Sequence, residues 1–394
     1  MQKINFSTLM EIFLVSTRLG FTSFGGPVAH LGYFHEEYVR RRKWMDEKSY
    51  ADLVALCQFL PGPASSQVGI GIGVMRGGVL GGILAFLGFT MPSMIALIVF
   101  ALVLQEVDIA DAGWIHGLKI VAVAVVAHAI LGMAGKLAPD LKRKAIVLAG
   151  LGIVLLWQTA FTQIGVIVIA GLIGFLLYKD HKTDSVPSFS FPLSRTFGVM
   201  CLSLFFGLLV LLPILREATS LNWVALCDSF YRSGALVFGG GHVVLPLLER
   251  EFVSAGWLTA EQFLAGYGAA QAVPGPLFTF AAYIGAVING WQGGLLATFA
   301  VFLPAFLLIL GALPFWDTLR RNPNIQGALM GVNAAVVGIL IAAFYTPIWT
   351  STIVDAIDFV FAAILFSMLV YWKLPPWVVV IVGALGGALI SLFM

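Results

Sequence analysis

Residues 18–37 read RLGFTSFGGPVAHLGYFHEE, and residues 232–251 read RSGALVFGGGHVVLPLLERE. Laid over one another without gaps, from Arg18 on Arg232, they share the arginine, the following glycine, Phe-Gly-Gly and the closing glutamate. After a one-residue gap Trp44 meets Trp257, and Gln58-Phe59-Leu60-Pro61-Gly62-Pro63 meets Gln271-Ala272-Val273-Pro274-Gly275-Pro276. A further one-residue gap pairs Gly81-Gly82 with Gly293-Gly294 and Pro92 with Pro304. The chain is two copies of one unit.

What surrounds the repeat is apolar. Of 394 residues 60% are hydrophobic and 11% charged, less than half the charged fraction of about a quarter found in soluble domains. Stretches such as Val79 to Leu104, Ala145 to Tyr178, Leu295 to Phe315 and Trp377 to Leu392 approach or exceed the roughly 20 residues that cross hydrocarbon. Helices follow, because lipid offers no partner to unpaired backbone groups. The expectation is an all-α polytopic membrane protein. A net charge of +2 argues against a nucleic-acid partner, which needs a concentrated basic surface. Cys57, Cys201 and Cys227 sit in or beside apolar segments without metal or disulfide spacing. No metal site or cofactor is expected. Glu11 and Arg18 interrupt the first apolar stretch, which has no A-x-A cleavage site, so no processing is expected.

Each copy opens with two apolar segments broken in the middle. The breaks are Gly25-Gly26-Pro27 and Pro61-Gly62-Pro63, then Gly239-Gly240-Gly241 and Pro274-Gly275-Pro276. Four uninterrupted spans follow in each copy, near 79–104, 114–135, 145–158 and 162–178, and near 292–315, 325–345, 353–372 and 376–393. The expected organisation is a first repeat over 1–178, a linker with one extra crossing over 179–215, and a second repeat over 216–394. An odd crossing after an even-numbered unit turns the second copy over, so the copies are expected to be inverted-topology repeats.

Charge tests this independently, because Lys and Arg mark cytoplasmic loops. The loop Lys136 to Lys144 and the linker Lys179 to Arg195 are basic, whereas Gln105 to Asp111 is acidic. In the second copy the counterpart of the acidic loop carries Arg320 and Arg321, and that of the basic loop, Tyr345 to Thr352, has no charge. One arrangement satisfies both halves, with the N-terminus cytoplasmic and the C-terminus outside. The basic loop Glu36 to Lys48 fits if the broken segments are re-entrant hairpins and conflicts if they are full broken spans.

Irregular backbone at membrane depth is tolerated where it lines a cavity, and broken helices of inverted repeats commonly form the substrate site. Pro27 and Pro63 suit the start of half-helices, whose free N–H groups face an anion well. Ser65, Ser66 and Gln67 add side-chain donors; after Pro276 the nearby counterpart is Thr279. The two copies should therefore be unequal. The candidate substrate-binding residues are Gly25, Gly26, Pro27, Pro61, Gly62, Pro63, Ser65, Ser66, Gln67, Gly239, Gly240, Pro274, Gly275 and Pro276. Arg18 and Arg232 join them, since an intramembrane arginine usually faces a cavity or a partner; pairing with an acid such as Glu11 or Asp228 is the alternative. Glu37 and Glu251 suit a gating or structural ion pair. His30 and His242 could couple protons or simply pack. The glycines from Gly69 to Gly82 read as close helix packing, and with no GxxxxGK[ST] present nucleotide binding is not expected.

FGGPVAH (Phe24 to His30), RRRKW (Arg40 to Trp44) and LPGPASSQ (Leu60 to Gln67), with FGGGH (Phe238 to His242) and VPGP (Val273 to Pro276), together resemble the chromate ion transporter family in its long, two-domain form. The resemblance covers nearly the whole chain. It implies a multi-pass protein of a bacterial-type inner membrane that exports chromate, a tetrahedral dianion like sulfate, and so confers chromate resistance. Sulfate as the physiological substrate, with chromate carried by mimicry, stays open. An intramembrane enzyme is the rival class, but no HExxH or serine–histidine arrangement is present. The partners expected are the oxyanion and the lipid bilayer; the oligomeric state, a homo-oligomer included, is left open.

Overall fold

The computed structural model describes residues 5–24, 26–106, 113–157, 162–178, 193–219, 221–238, 244–316 and 323–393, and these form helices with no strand among them. The first copy opens with α1 (Phe6–Thr22), whose first turn is capped by Asn5, and α2 (Gly26–Phe34). A wider π-type turn, His35–Arg41, prolongs α2. The chain reverses between the two helices. Gly26 takes φ +78°, where a side chain would be strained, and Pro27 then starts α2 in the opposite direction. Ser16 meets Tyr38 at 3.2 Å, Arg18 meets Glu37 at 3.0 Å, and Glu11 meets Arg42 at 2.8 Å. Partner numbers rise on one arm as they fall on the other, so α1 and α2 are a hairpin.

The second broken segment is also a hairpin. α3 (Glu47–Phe59) and the first arm of α4 (Ala64–Glu106) meet at Pro61–Pro63, with Gly62 at φ +115°, and Gly71 lies against Leu53. The chain turns back once more inside α4, at Gly77–Gly78, where Gly78 has φ +63°. That reversal brings Gly73 onto Gly81. The sequence reading took these glycines for packing alone; they also make a turn, which only φ > 0 at a glycine permits without strain. The second arm of α4 then runs beside α1, with Gly20 against the carbonyls of Gly88 and Phe89. Glu11 binds Arg76 at 2.9 Å as well as Arg42, and the Arg76 guanidinium lies 4.4 Å over the Trp44 ring. The Gly77–Gly78 turn is thus tied to the base of the first hairpin.

The second copy repeats this trace. α9 (Asn222–Ala235) and α10 (Val244–Phe252) are joined by Arg232–Glu251 at 3.1 Å and by Phe230 against Phe252. α11 (Ala260–Ala272), opened by a Thr259–Gln262 capping box, turns at Pro274–Pro276 into a short 3-10 turn, Leu277–Thr279, and α12 (Phe280–Ala312). α12 reverses at Asn289–Gly290, the counterpart of Gly77–Gly78. The second arms of α4 and α12 pack antiparallel, Phe86 on Phe302 and Ile98 on Gly294, while Gln105 Nε2 donates to the Val287 carbonyl at the end of the first arm of α12, over 2.7 Å.

The remaining helices exchange partners between copies. They are α5 (Gly113–Leu137), α6 (Leu141–Leu156) and α7 (Thr162–Leu177), and α13 (Pro323–Ala343), α14 (Ala356–Val370) and α15 (Pro376–Phe393). Gly113 and Gly117 of α5 rest on Gly387 and Gly383 of α15, while Gly327 and Gly331 of α13 rest on Gly174 and Ala170 of α7. Small residues four apart let backbones approach where lipid supplies no hydrophobic drive. Between the copies, α8 (Arg195–Ala218) is long and apolar enough to cross a membrane; it docks through Gly198 on Gly311 of α12 and exposes Val199, Met200, Leu204, Phe206 and Val210 to the surroundings.

Several boundaries differ from expectation. Lys142, Arg143 and Lys144 occupy the first turn of α6 instead of a loop, because Asp140 caps that helix through the Arg143 N–H. The stretch Glu36 to Lys48 is largely helical. α6, α7 and α14 hold 16, 16 and 15 residues, short of the roughly 20 that span a bilayer upright. Arg320, Arg321 and linker residues 179–192 lie outside the described residues.

Candidate functional site

The four breaks come together in crossed pairs. Gly62 donates its backbone N–H to the Val237 carbonyl at 2.7 Å, and Gly275 donates to the Ser23 carbonyl at 2.9 Å. The PGP apex of each copy is bonded to the chain just before the FGG break of the other. Both donors are glycines at φ +115° and +105°. Neither has room for a side chain: a Cβ on Gly275 would lie 2.8 Å from Ser93 Oγ, and one on Gly62 3.1 Å from the Ala305 Cβ.

The first-copy apex is polar. Pro63 accepts the N–H of Gln67, so the half-helix starts at Ala64 and Ser65, Ser66 and Gln67 fill its first turn. Amides of a first turn have no partner within their own helix. Ser65 Oγ meets His30 Nδ1 at 3.3 Å, and the His30 ring stands edge-on to Phe89 and against the Ser23 backbone. Gln67 Nε2 donates to the Pro61 carbonyl at 2.9 Å, bridging the PGP turn. His30 and Gln67 are fully buried and Ser66 is 3% exposed, yet His30 Nε2, Ser66 Oγ, Gln67 Oε1 and Ser23 Oγ have no hydrogen-bond partner. Each such orphan costs about 1–3 kcal/mol, so several around one apex point to a ligand or water that satisfies them.

The second-copy apex is apolar by comparison. Ser23, His30, Ser65 and Gln67 align with Val237, Val244, Phe278 and Phe280, all buried. Ser66 aligns with Thr279, whose hydroxyl donates to the Pro276 carbonyl at 2.7 Å. After the PGP turn, buried unpartnered side-chain polar atoms occur in the first copy, on Ser66 and Gln67; those of the second copy, on Arg232, Ser233 and Gln271, lie before its turn. The signal was present in the sequence as an alignment column, but its meaning depends on which side chains face the apex.

The arginines sit elsewhere. Arg18 bonds Glu37 rather than Glu11, and Glu37, only 4% exposed, also accepts from Arg41 at 3.3 Å and from Arg42 at 2.8 Å. Arg232 bonds Asp228 at 2.7 Å and Glu251 at 3.1 Å; Arg216, from α8, reaches the same Asp228 at 3.2 Å. In both copies the repeat-equivalent arginine and glutamate lock the two arms of the first hairpin together. Gly25, Gly239, Gly240 and His242 lie outside the described residues. Among the described residues no three His, Cys, Asp or Glu side chains gather into a metal-ligating group.

Broken hairpins from two copies pressed together around buried polar atoms, inside an apolar helical shell, define a polytopic membrane transporter. The chain belongs to the chromate transporter family, which it matches over residues 10–175 and 224–388. It is 30% identical to a chromate transport protein of Pseudomonas aeruginosa over 84% of this chain and 79% of that one. It is also 27% identical to a chromate transport protein of Cupriavidus metallidurans, over 96% of this chain and 92% of that one. An uncharacterised transporter of Methanocaldococcus jannaschii is 27% identical over 98% of this chain and 91% of its own. No solved structure matches the chain.

Proposed function

We propose that the chain exports chromate, or a related tetrahedral oxyanion such as sulfate, across the inner membrane, binding it at the first-copy apex. The observation that carries this is the set of buried, unpartnered polar atoms on Ser23, His30, Ser66 and Gln67, beside the open amides of a half-helix that begins there. Gly26, Pro27, Pro61, Gly62 and Pro63 shape that wall, and Pro274, Gly275 and Pro276 supply the opposite one; Gly25, Gly239 and Gly240 join the proposed site by their place in the sequence. Arg18–Glu37 and Arg232–Glu251 act as latches on the hairpins, with Arg18 and Arg232 offering positive charge to the passing anion.

In this reading, residues 1–178 and 216–394 are inverted-topology repeats and 179–215 the linker with its extra crossing, with the N-terminus cytoplasmic and the C-terminus outside. The antiparallel packing of the α4 and α12 second arms supports it. So do contacts that close each end separately: Gln105 with Val287 and His116 with Asp358 on one side, Glu11 with Arg76 and Tyr178 with Asp140 on the other. The test is flux of labelled chromate and sulfate in proteoliposomes under imposed pH and voltage gradients. Saturable chromate flux above protein-free vesicles is expected. No flux of either anion in correctly folded protein would remove the proposal.

A further inference from the structure

Resting on that site, we propose that the bound species is the monoprotonated oxyanion, HXO4⁻, rather than the dianion. Gln67 sets the polarity of the apex. Its amide orientation is fixed, because the Pro61 carbonyl can only accept and therefore takes the NH2 group. The carbonyl Oε1 is left buried and unpartnered at the apex, an obligate acceptor. A fully deprotonated oxyanion presents acceptors alone, so it would leave Oε1 unsatisfied and repelled. One O–H on the ligand reverses this. It donates to Gln67 Oε1, while the ligand's other oxygens accept from Ser66 Oγ, Ser23 Oγ, the first-turn amides and the Nε2–H of a neutral His30.

Charge points the same way. Burying a dianion needs compensating positive charge, and no described Lys or Arg hydrogen-bonds to His30, Ser65, Ser66 or Gln67. The titratable and charged groups on the packed elements are Glu11 and Arg18 on α1, His30 and Tyr33 on α2, and His35, Glu36, Glu37, Tyr38, Arg40 and Arg41 on its π-type turn. α3 brings Glu47, Lys48, Tyr50, Asp52 and Cys57, α4 Arg76 and Glu106, α11 Glu261 and Tyr267, and α12 Tyr283. Arg40 pairs with Glu36, Arg41 with Glu37 and Arg76 with Glu11. Arg18 is engaged by Glu37, and Tyr50 donates to the Leu31 carbonyl. Of these, His30 hydrogen-bonds to Ser65 at the apex. A site with one fixed acceptor, several two-way groups and no neighbouring cation fits a monoanion carrying one hydroxyl.

Chromate takes up a proton close to neutrality, whereas sulfate stays dianionic until strong acid, and this separates the outcomes. The experiment is equilibrium binding of chromate and of sulfate to purified full-length protein across the neutral range, with thermal unfolding at each pH as a folding control. Chromate affinity should fall about tenfold per pH unit above its own protonation range, and sulfate, almost none of which is protonated near neutrality, should show no measurable binding. Sulfate binding comparable in strength to that of chromate at neutral pH would show that the site accepts a dianion and overturn the inference. So would chromate affinity that is constant with pH. Absence of binding for both anions at every pH would remove the apex as the site, and the inference with it.

Discussion

Gly275 donates its backbone N–H to the carbonyl of Ser23 over 2.9 Å. Its repeat counterpart Gly62 makes the same bond to Val237, the counterpart of Ser23. These crossed bonds join each copy's PGP apex to the other copy's FGG arm. A movement of one hairpin is therefore felt by the opposite copy, which is the coupling an alternating transporter requires.

Alanine at either glycine should damage folding and transport together. A non-glycine residue in such a conformation costs about 1–3 kcal/mol, before any clash with Ser93 or Ala305 is added. Thermal unfolding in detergent should show Gly62→Ala and Gly275→Ala both well below wild type. Native melting temperatures in both would mean that the crossed bonds are dispensable.

Ser66→Ala should weaken oxyanion binding by roughly 2- to 12-fold, the worth of one neutral hydrogen bond of about 0.5–1.5 kcal/mol. It should not lower stability, because it deletes an orphaned hydroxyl and because alanine favours helix over serine. Thr279→Ala is the control. It removes the bond to the Pro276 carbonyl, so it should lower the melting temperature and leave affinity alone. Equal affinity losses in the two variants would contradict a single polar apex.

The two arginines should differ in stability and agree in transport. Arg18 is more exposed than Arg232, and Glu37 retains Arg41 and Arg42 without it. Exposed ion pairs contribute about 0–1 kcal/mol, whereas removing Arg232 leaves Asp228, 2% exposed, with Arg216 alone. Arg232→Gln should therefore lower the melting temperature more than Arg18→Gln. In flux assays, Lys at either position should retain more transport than Gln. Near-native flux in properly inserted Arg18→Gln and Arg232→Gln proteins would take both out of the mechanism.

Single cysteines at positions 43, 142 and 320, in a background lacking Cys57, Cys201 and Cys227, should be labelled only from the cytoplasmic side of cells. Cysteines at 109 and 350 should react from outside. Position 43 separates hairpins from full spans, since a full crossing by the first broken segment would place it outside. Labelling of 142 or 320 from outside in intact cells would overturn the inverted arrangement.

The sequence by itself determined the repeat, the helical membrane class and the places where helices break. These are local properties: apolar run length sets what can cross lipid, and glycine with proline sets where backbone cannot continue as helix. Charge around Arg40 favoured a hairpin over a full broken span, and side-chain contacts such as Ser16 with Tyr38 show the two arms folded back on each other. Tertiary structure alone decided which surfaces meet. It showed that Gly77–Gly78 is a reversal, because a glycine pair reads alike in a tight turn and in a packing stripe until φ is known. It gave Arg18 to Glu37 instead of Glu11, since both acids are near in the chain and only the hairpin register ranks them. It also separated Ser66 from Thr279. Both follow a PGP turn, but one hydroxyl is buried without a partner and the other caps its own backbone, a difference fixed by packing around the apex and invisible in the spacing.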